Sequence, residues 1–87
     1  MGKFVVVDDT EVQCVEAVFP RDAASIVAKS PVIPDEANPD RGLVILSVYK
    51  WSDGVDEALA ALPGFDEKAS YCQEKLELLA DYAKPRQ

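Results

Sequence analysis

Carboxylates are the side chains with which this chain could do chemistry. Asp8, Asp9 and Glu11 stand within four residues of one another, and carboxylates grouped at a strand end can hold Mg²⁺ or Ca²⁺, which favour oxygen ligands. The same spacing suits a tight turn, where Asp is common because its side chain bonds the local backbone. Asp8 and Asp9 are therefore weak metal candidates only, and no metal or other cofactor is expected. The chain has no histidine, which removes the commonest general base and the commonest transition-metal ligand. Ser25, Ser30, Ser47, Ser52, Ser70 and Thr10 consequently lack the usual activating base. Cys14 and Cys72 fall on faces expected to be buried, where thiols are inert. The four glycines, at 2, 42, 54 and 64, make no phosphate-binding loop. The expectation is a protein that is not an enzyme.

The 87 residues suffice for a single small domain, 1–87. The chain is 48% hydrophobic and 29% charged, a globular balance. Nine basic and sixteen acidic residues leave a net charge of −7, which argues against direct binding to nucleic acid or to an anionic membrane. Residues 1–44 carry eight acids and four bases, and residues 45–87 eight acids and five bases, so no acidic tail holds the excess. The first residues offer four consecutive apolar side chains before Asp8-Asp9, too few for a signal peptide. No run approaches 18 apolar residues. A cytoplasmic protein with two reduced, buried thiols is expected.

The elements that must position these groups can be read from periodicity. Residues 3–7 are β-branched and aromatic, a strand. Residues 11–19 alternate, with Val12, Cys14 and Val18 on one face and Val15, Ala17 and Phe19 on the other. Glu16 marks the first of these faces as partly solvated. The short turn between the two strands predicts an antiparallel hairpin. Pro20 opens a helix with an apolar side of Ala23, Ala24, Ile26 and Val27, and Ser30-Pro31 closes it. Three prolines make 30–42 a long loop without helix or central strand. Residues 43–49 form the most apolar run, a strand covered on both faces. Val55, Ala58, Leu59 and Leu62 give a short helix ended by Pro63-Gly64. A last helix is expected over 66–83. The order β-β-α-β-α-α predicts an α+β fold, a small three-stranded sheet with helices packed on it.

The expected last helix has three sides. Phe65, Ala69, Cys72, Leu76, Leu79 and Ala83 make a seam at spacings of four and three. Tyr71, Leu78 and Tyr82 make a second stripe, suited to a partner or to a second copy of the chain. Glu67, Glu74, Glu77 and Asp81 make an acidic stripe whose neighbours lie about 5–6 Å apart. That is near the phosphate spacing of a nucleic-acid strand. The stiff loop adds Asp35, Glu36 and Asp40.

A local resemblance cuts across this reading. Phe4-Val5-Val6-Val7-Asp8-Asp9 resembles the first strand and acidic pair of response-regulator receiver domains. Pro39-Asp40, then Leu43-Val44-Ile45-Leu46 and Asp53-Gly54, resemble their third strand and the loop after it. The likeness covers under a third of the chain. It implies a divergent, inactive receiver-like regulatory domain with a vestigial metal site at Asp8 and Asp9. Ser47 stands in place of the phospho-accepting aspartate, and the first receiver helix has no counterpart.

Charge and size lead to a different expectation: a non-catalytic interaction domain that occupies a basic surface of a larger protein, as an inhibitor or adaptor. Small acidic domains of this kind are frequent among phage-encoded antagonists of host enzymes and defence systems. The expected contact residues are Asp35, Glu36, Asp40, Glu67, Tyr71, Glu74, Glu77, Leu78, Asp81 and Tyr82. A homodimer formed through the last helix is the remaining alternative.

Overall fold

The computed structural model describes residues 2–37 and 44–84. The strands are β1 (Gly2–Val7), β2 (Val12–Ala17), β3 (Ile33–Pro34), β4 (Ile45–Lys50) and β5 (Leu78–Ala83). The helices are α1 (Pro20–Ala28), α2 (Val55–Ala60) and α3 (Phe65–Lys75), with one 3-10 turn at Asp35–Ala37. The fold is α+β, and its strands form one five-stranded antiparallel sheet in the order β2-β1-β4-β5-β3.

Local chemistry explains the first elements. The β1–β2 hairpin pairs Gly2 with Ala17 through to Val7 with Val12. Asp8 closes it: one carboxylate oxygen accepts from the Thr10 and Glu11 backbone N–H groups, both at 2.8 Å, and from the Thr10 hydroxyl at 3.2 Å. Pro20 starts α1, where its missing N–H has no helical partner to lose. The helix stops at Lys29, which takes a left-handed conformation (φ 59°) and donates its N–H to the Ser25 carbonyl at 2.8 Å.

Adjacent strand residues point to opposite faces, so the sheet builds two cores. On the first face Val6, Leu46 and Val48 meet Ala17 and three alanines of α1, Ala23, Ala24 and Ala28. Val27 packs beside them, and the three small alanines let the helix backbone approach the sheet closely. On the second face Val5 and Tyr49 lie under Val55 and Leu59 of α2 and Cys72 of α3. Helices therefore cover both faces.

The expected three-stranded sheet is overturned. The last helix runs only to Lys75, and residues 78–83, assigned to it by periodicity, form β5 beside β4. Leu76, Leu79 and Ala83 fit a helical seam, yet Leu78, Ala80 and Tyr82 also alternate. The open edge of β4 settles the matter by offering a full ladder of backbone hydrogen bonds. The fifth strand comes from the proline loop: Ile33 and Pro34 pair with Ala83 and Tyr82 at the sheet margin, where a residue without an N–H is tolerated. The part of that loop containing Asp40 lies outside the described residues. The receiver likeness does not extend to the fold. Receivers have a doubly wound parallel sheet, whereas here β1 and β4 run antiparallel.

Candidate functional site

α3 is a short amphipathic helix. Asp66 and Glu67 occupy its first turn and Lys75 its last, the arrangement its dipole favours. Cys72 is buried against the sheet, while Asp66, Glu67, Ser70 and Glu74 face solvent. Beyond Lys75 the chain turns extended at Leu76 (φ −112°, ψ 156°) and enters β5.

Along the outer flank of α3 runs an open groove of about 430 Å³, lined by Leu62, Asp66, Glu67, Ser70, Tyr71, Glu74 and Lys75. Leu62 and Tyr71 are half-buried and pack on the second core, so they supply an apolar floor. Three carboxylates and one ammonium stand around it. Such a channel suits a side chain with an apolar stem and a cationic head: the stem covers Leu62, and the head meets the carboxylates or the Tyr71 ring.

The structure redistributes the expected contact residues. Glu67, Tyr71 and Glu74 come together in the groove. Glu77 lies in the link to β5, where its carbonyl accepts from the Lys50 N–H at 2.9 Å. Asp81 sits in the sheet, half-buried, and accepts a 2.6 Å hydrogen bond from the Ser47 hydroxyl. The continuous acidic stripe over Glu67, Glu74, Glu77 and Asp81 therefore does not exist. Nor does the Tyr71/Leu78/Tyr82 stripe. Tyr71 packs on the second core, Tyr82 on the first, and Leu78 is exposed at the start of β5. Asp35 and Glu36 form the 3-10 turn and do not line the groove. Asp8 is occupied by its turn and Asp9 is exposed. Among the described residues no three His, Cys, Asp or Glu side chains are grouped to hold a metal.

A second cavity, about 200 Å³, opens at the edge of β2 and is lined by Lys3, Cys14, Val15, Glu16 and Asp56. The Lys3 ammonium lies 4.7 Å from the centre of the Trp51 ring, and the Trp51 indole N–H donates to Asp56 at 3.3 Å. Cys14 was expected in the core but is exposed, because β2 is an edge strand. Glu16, on the same face, was the signal. The thiol itself is partly screened from water. That desolvation, with a hydrogen bond to Asp56, pushes its pKa up to about 12. The same hydrogen bond, then that from Trp51, holds the Asp56 carboxyl below the usual range. This cluster keeps the thiol protonated and poorly nucleophilic. The buried Cys72 is free as well, and burial raises it to about 11.

No helix among the described residues is long and apolar enough to cross a membrane. No protein-family model matches the chain, and no curated protein or solved structure is significantly similar to it.

Proposed function

We propose that this chain is a non-catalytic protein-interaction domain whose α3 groove receives a cationic element of a larger protein, as an inhibitor or adaptor in the cytoplasm. The observation that carries this reading is the groove itself: an apolar floor of Leu62 and Tyr71 between Asp66, Glu67 and Glu74. A lysine or arginine seated there would trade little solvation, since its head stays at the rim. The net charge of −7 would speed encounter with a basic surface. The inert thiols and the lack of a histidine support the non-catalytic part.

The test is an NMR titration with a short amphipathic arginine-containing peptide. Amide shifts should concentrate at Leu62 and along residues 66–75 and shrink as salt is added. The double reversal Glu67→Lys with Glu74→Lys should weaken binding at least about tenfold, roughly 1.4 kcal/mol. Shifts scattered over every acidic surface, or binding indifferent to salt, would remove the groove from consideration.

A further inference from the structure

The two margins of the sheet are built differently. At one, β3 is only two residues long and one of them is Pro34, so it offers little to an incoming strand. At the other, β2 runs for six residues in unbroken register with β1, without proline, lysine or bulge. Those are the usual devices that close an edge to further pairing. Among the described residues no strand pairs with the outer side of β2.

The phase of the ladder fixes which groups are free. The Asp8 N–H donates to the Glu11 carbonyl at 3.1 Å, which makes Asp8 and Glu11 a hydrogen-bonded pair. Bonded and non-bonded pairs alternate from there along the hairpin. Gln13, Val15 and Ala17 therefore turn their N–H and C=O groups to β1, and Val12, Cys14 and Glu16 turn theirs outward. A strand laid antiparallel along β2, as the other pairings of this sheet are, would continue the ladder through those outward residues.

Side chains specify what that strand carries. Residues paired with Val12, Cys14 and Glu16 fall on the α2 side of the sheet. There they adjoin the cavity of about 200 Å³ lined by Lys3, Cys14, Val15, Glu16 and Asp56. Lys3 is drawn over the Trp51 ring, and Glu16 and Asp56 set two carboxylates against that single ammonium. Intervening residues fall on the α1 side, next to Val15, which packs on the first core. A second copy fits poorly, because each chain brings its own Glu16 and a net charge of −7. We propose that the β2 edge takes up an extended segment of a partner protein, paired antiparallel, with basic side chains on the α2 side and apolar ones on the α1 side. This surface shares no residue with the α3 groove, and either stands without the other.

The probe is a capped hexapeptide of alternating arginine and valine, and the readout is amide exchange with water by NMR. In the free chain Val12, Cys14 and Glu16 should exchange fast and Gln13 and Val15 slowly. For a Kd of about 1 mM, about 2 mM peptide should slow the three outward amides about threefold. N-methylation of the arginines removes the N–H groups that face β2 and should abolish this protection. N-methylation of the valines, whose N–H groups face away, should leave it intact. Glu16→Lys, at an exposed position, should raise the Kd at least about fivefold. The Glu67→Lys with Glu74→Lys variant, which disables the groove, should still show protection of the same three amides. No protection by the peptide, or equal effects of the two N-methylated forms, overturns the proposal. So does protection of these amides before any peptide is added, which would give the edge to a second copy or to the chain itself.

Discussion

The two faces of the sheet solve the same packing problem differently. On the first, α1 lies against the strands through three alanines with Val27 beside them, and Ile26 and the preceding Phe19 are left outside. On the second, α2 and α3 stand on larger groups, Tyr49, Val55, Leu59 and Cys72, and a groove opens beside them. A helix seated closely leaves little space between itself and the sheet. Helices held off by bulky contacts leave concave ground at their flanks. The first face is thus closed beneath its helix, whereas the second is open beside α3.

The largest effects should come from the cores that create this difference. Leu46 is 1% exposed beneath α1, and Leu46→Ala should cost about 2–5 kcal/mol in urea unfolding. Ala24→Leu would have to lift α1 from the sheet and should cost about 1–3 kcal/mol. The matching enlargement on α3, Ala69→Leu at a half-buried position, should cost clearly less. Equal losses at the two positions would mean that the second face is packed as tightly as the first, and the groove would lose its explanation.

Much of the first face was legible in the sequence. The hairpin, the proline-initiated α1 with its alanines, and the apolar strand that became β4 all carry local signals that agree with their tertiary setting, although Ile26, read on the apolar side of α1, and Phe19, read on a face of the second strand with Val15 and Ala17, are exposed. The second face was less so. Between Gly64 and Pro85 there is no glycine or proline to mark where α3 ends. The 3–4 spacing of Leu76, Leu79 and Ala83 continues the helical period by coincidence. The strand there is decided by β4's open edge, a long-range effect that no local window contains. This single misreading merged Tyr71 with Leu78 and Tyr82, and Glu67 and Glu74 with Glu77 and Asp81. Four of the ten expected contact residues, Glu77, Leu78, Asp81 and Tyr82, went with it. The groove residues Glu67, Tyr71 and Glu74 survive because they belong to the true helix.

β5 offers a smaller test of how the second face is held. Asp81 is half-buried there and draws a hydrogen bond from Ser47 across the β4–β5 ladder. Ser47→Ala removes the donor to the carboxylate, a loss of about 1 kcal/mol. Urea unfolding checks it. An unchanged midpoint would mean that water replaces the serine at no cost, and that the second face is open to solvent at this position too.

The finest contrast is between the two thiols, one chemical group protected by different means. Cys72 is raised to about 11 by burial alone, whereas Cys14, at the edge of β2, reaches about 12 through desolvation and then Asp56. Each proton is held more tightly in the folded chain than at the ordinary value of 9.0. The linked stability is therefore complete below pH 9 and drains away as pH rises toward 11 and 12. The urea midpoint should fall over that window, and Tyr49, also raised by burial, acts in the same direction. Asp56→Asn separates the two causes. It removes a charge that acts on Cys14 and not on Cys72, so alkylation at pH 8 should quicken at Cys14 and stay slow at Cys72. Mass spectrometry of the two peptides reads both rates in one sample. If Cys14 stays slow, then screening by β2 and α2 suffices, and the edge of the sheet protects its thiol in the same way as the core.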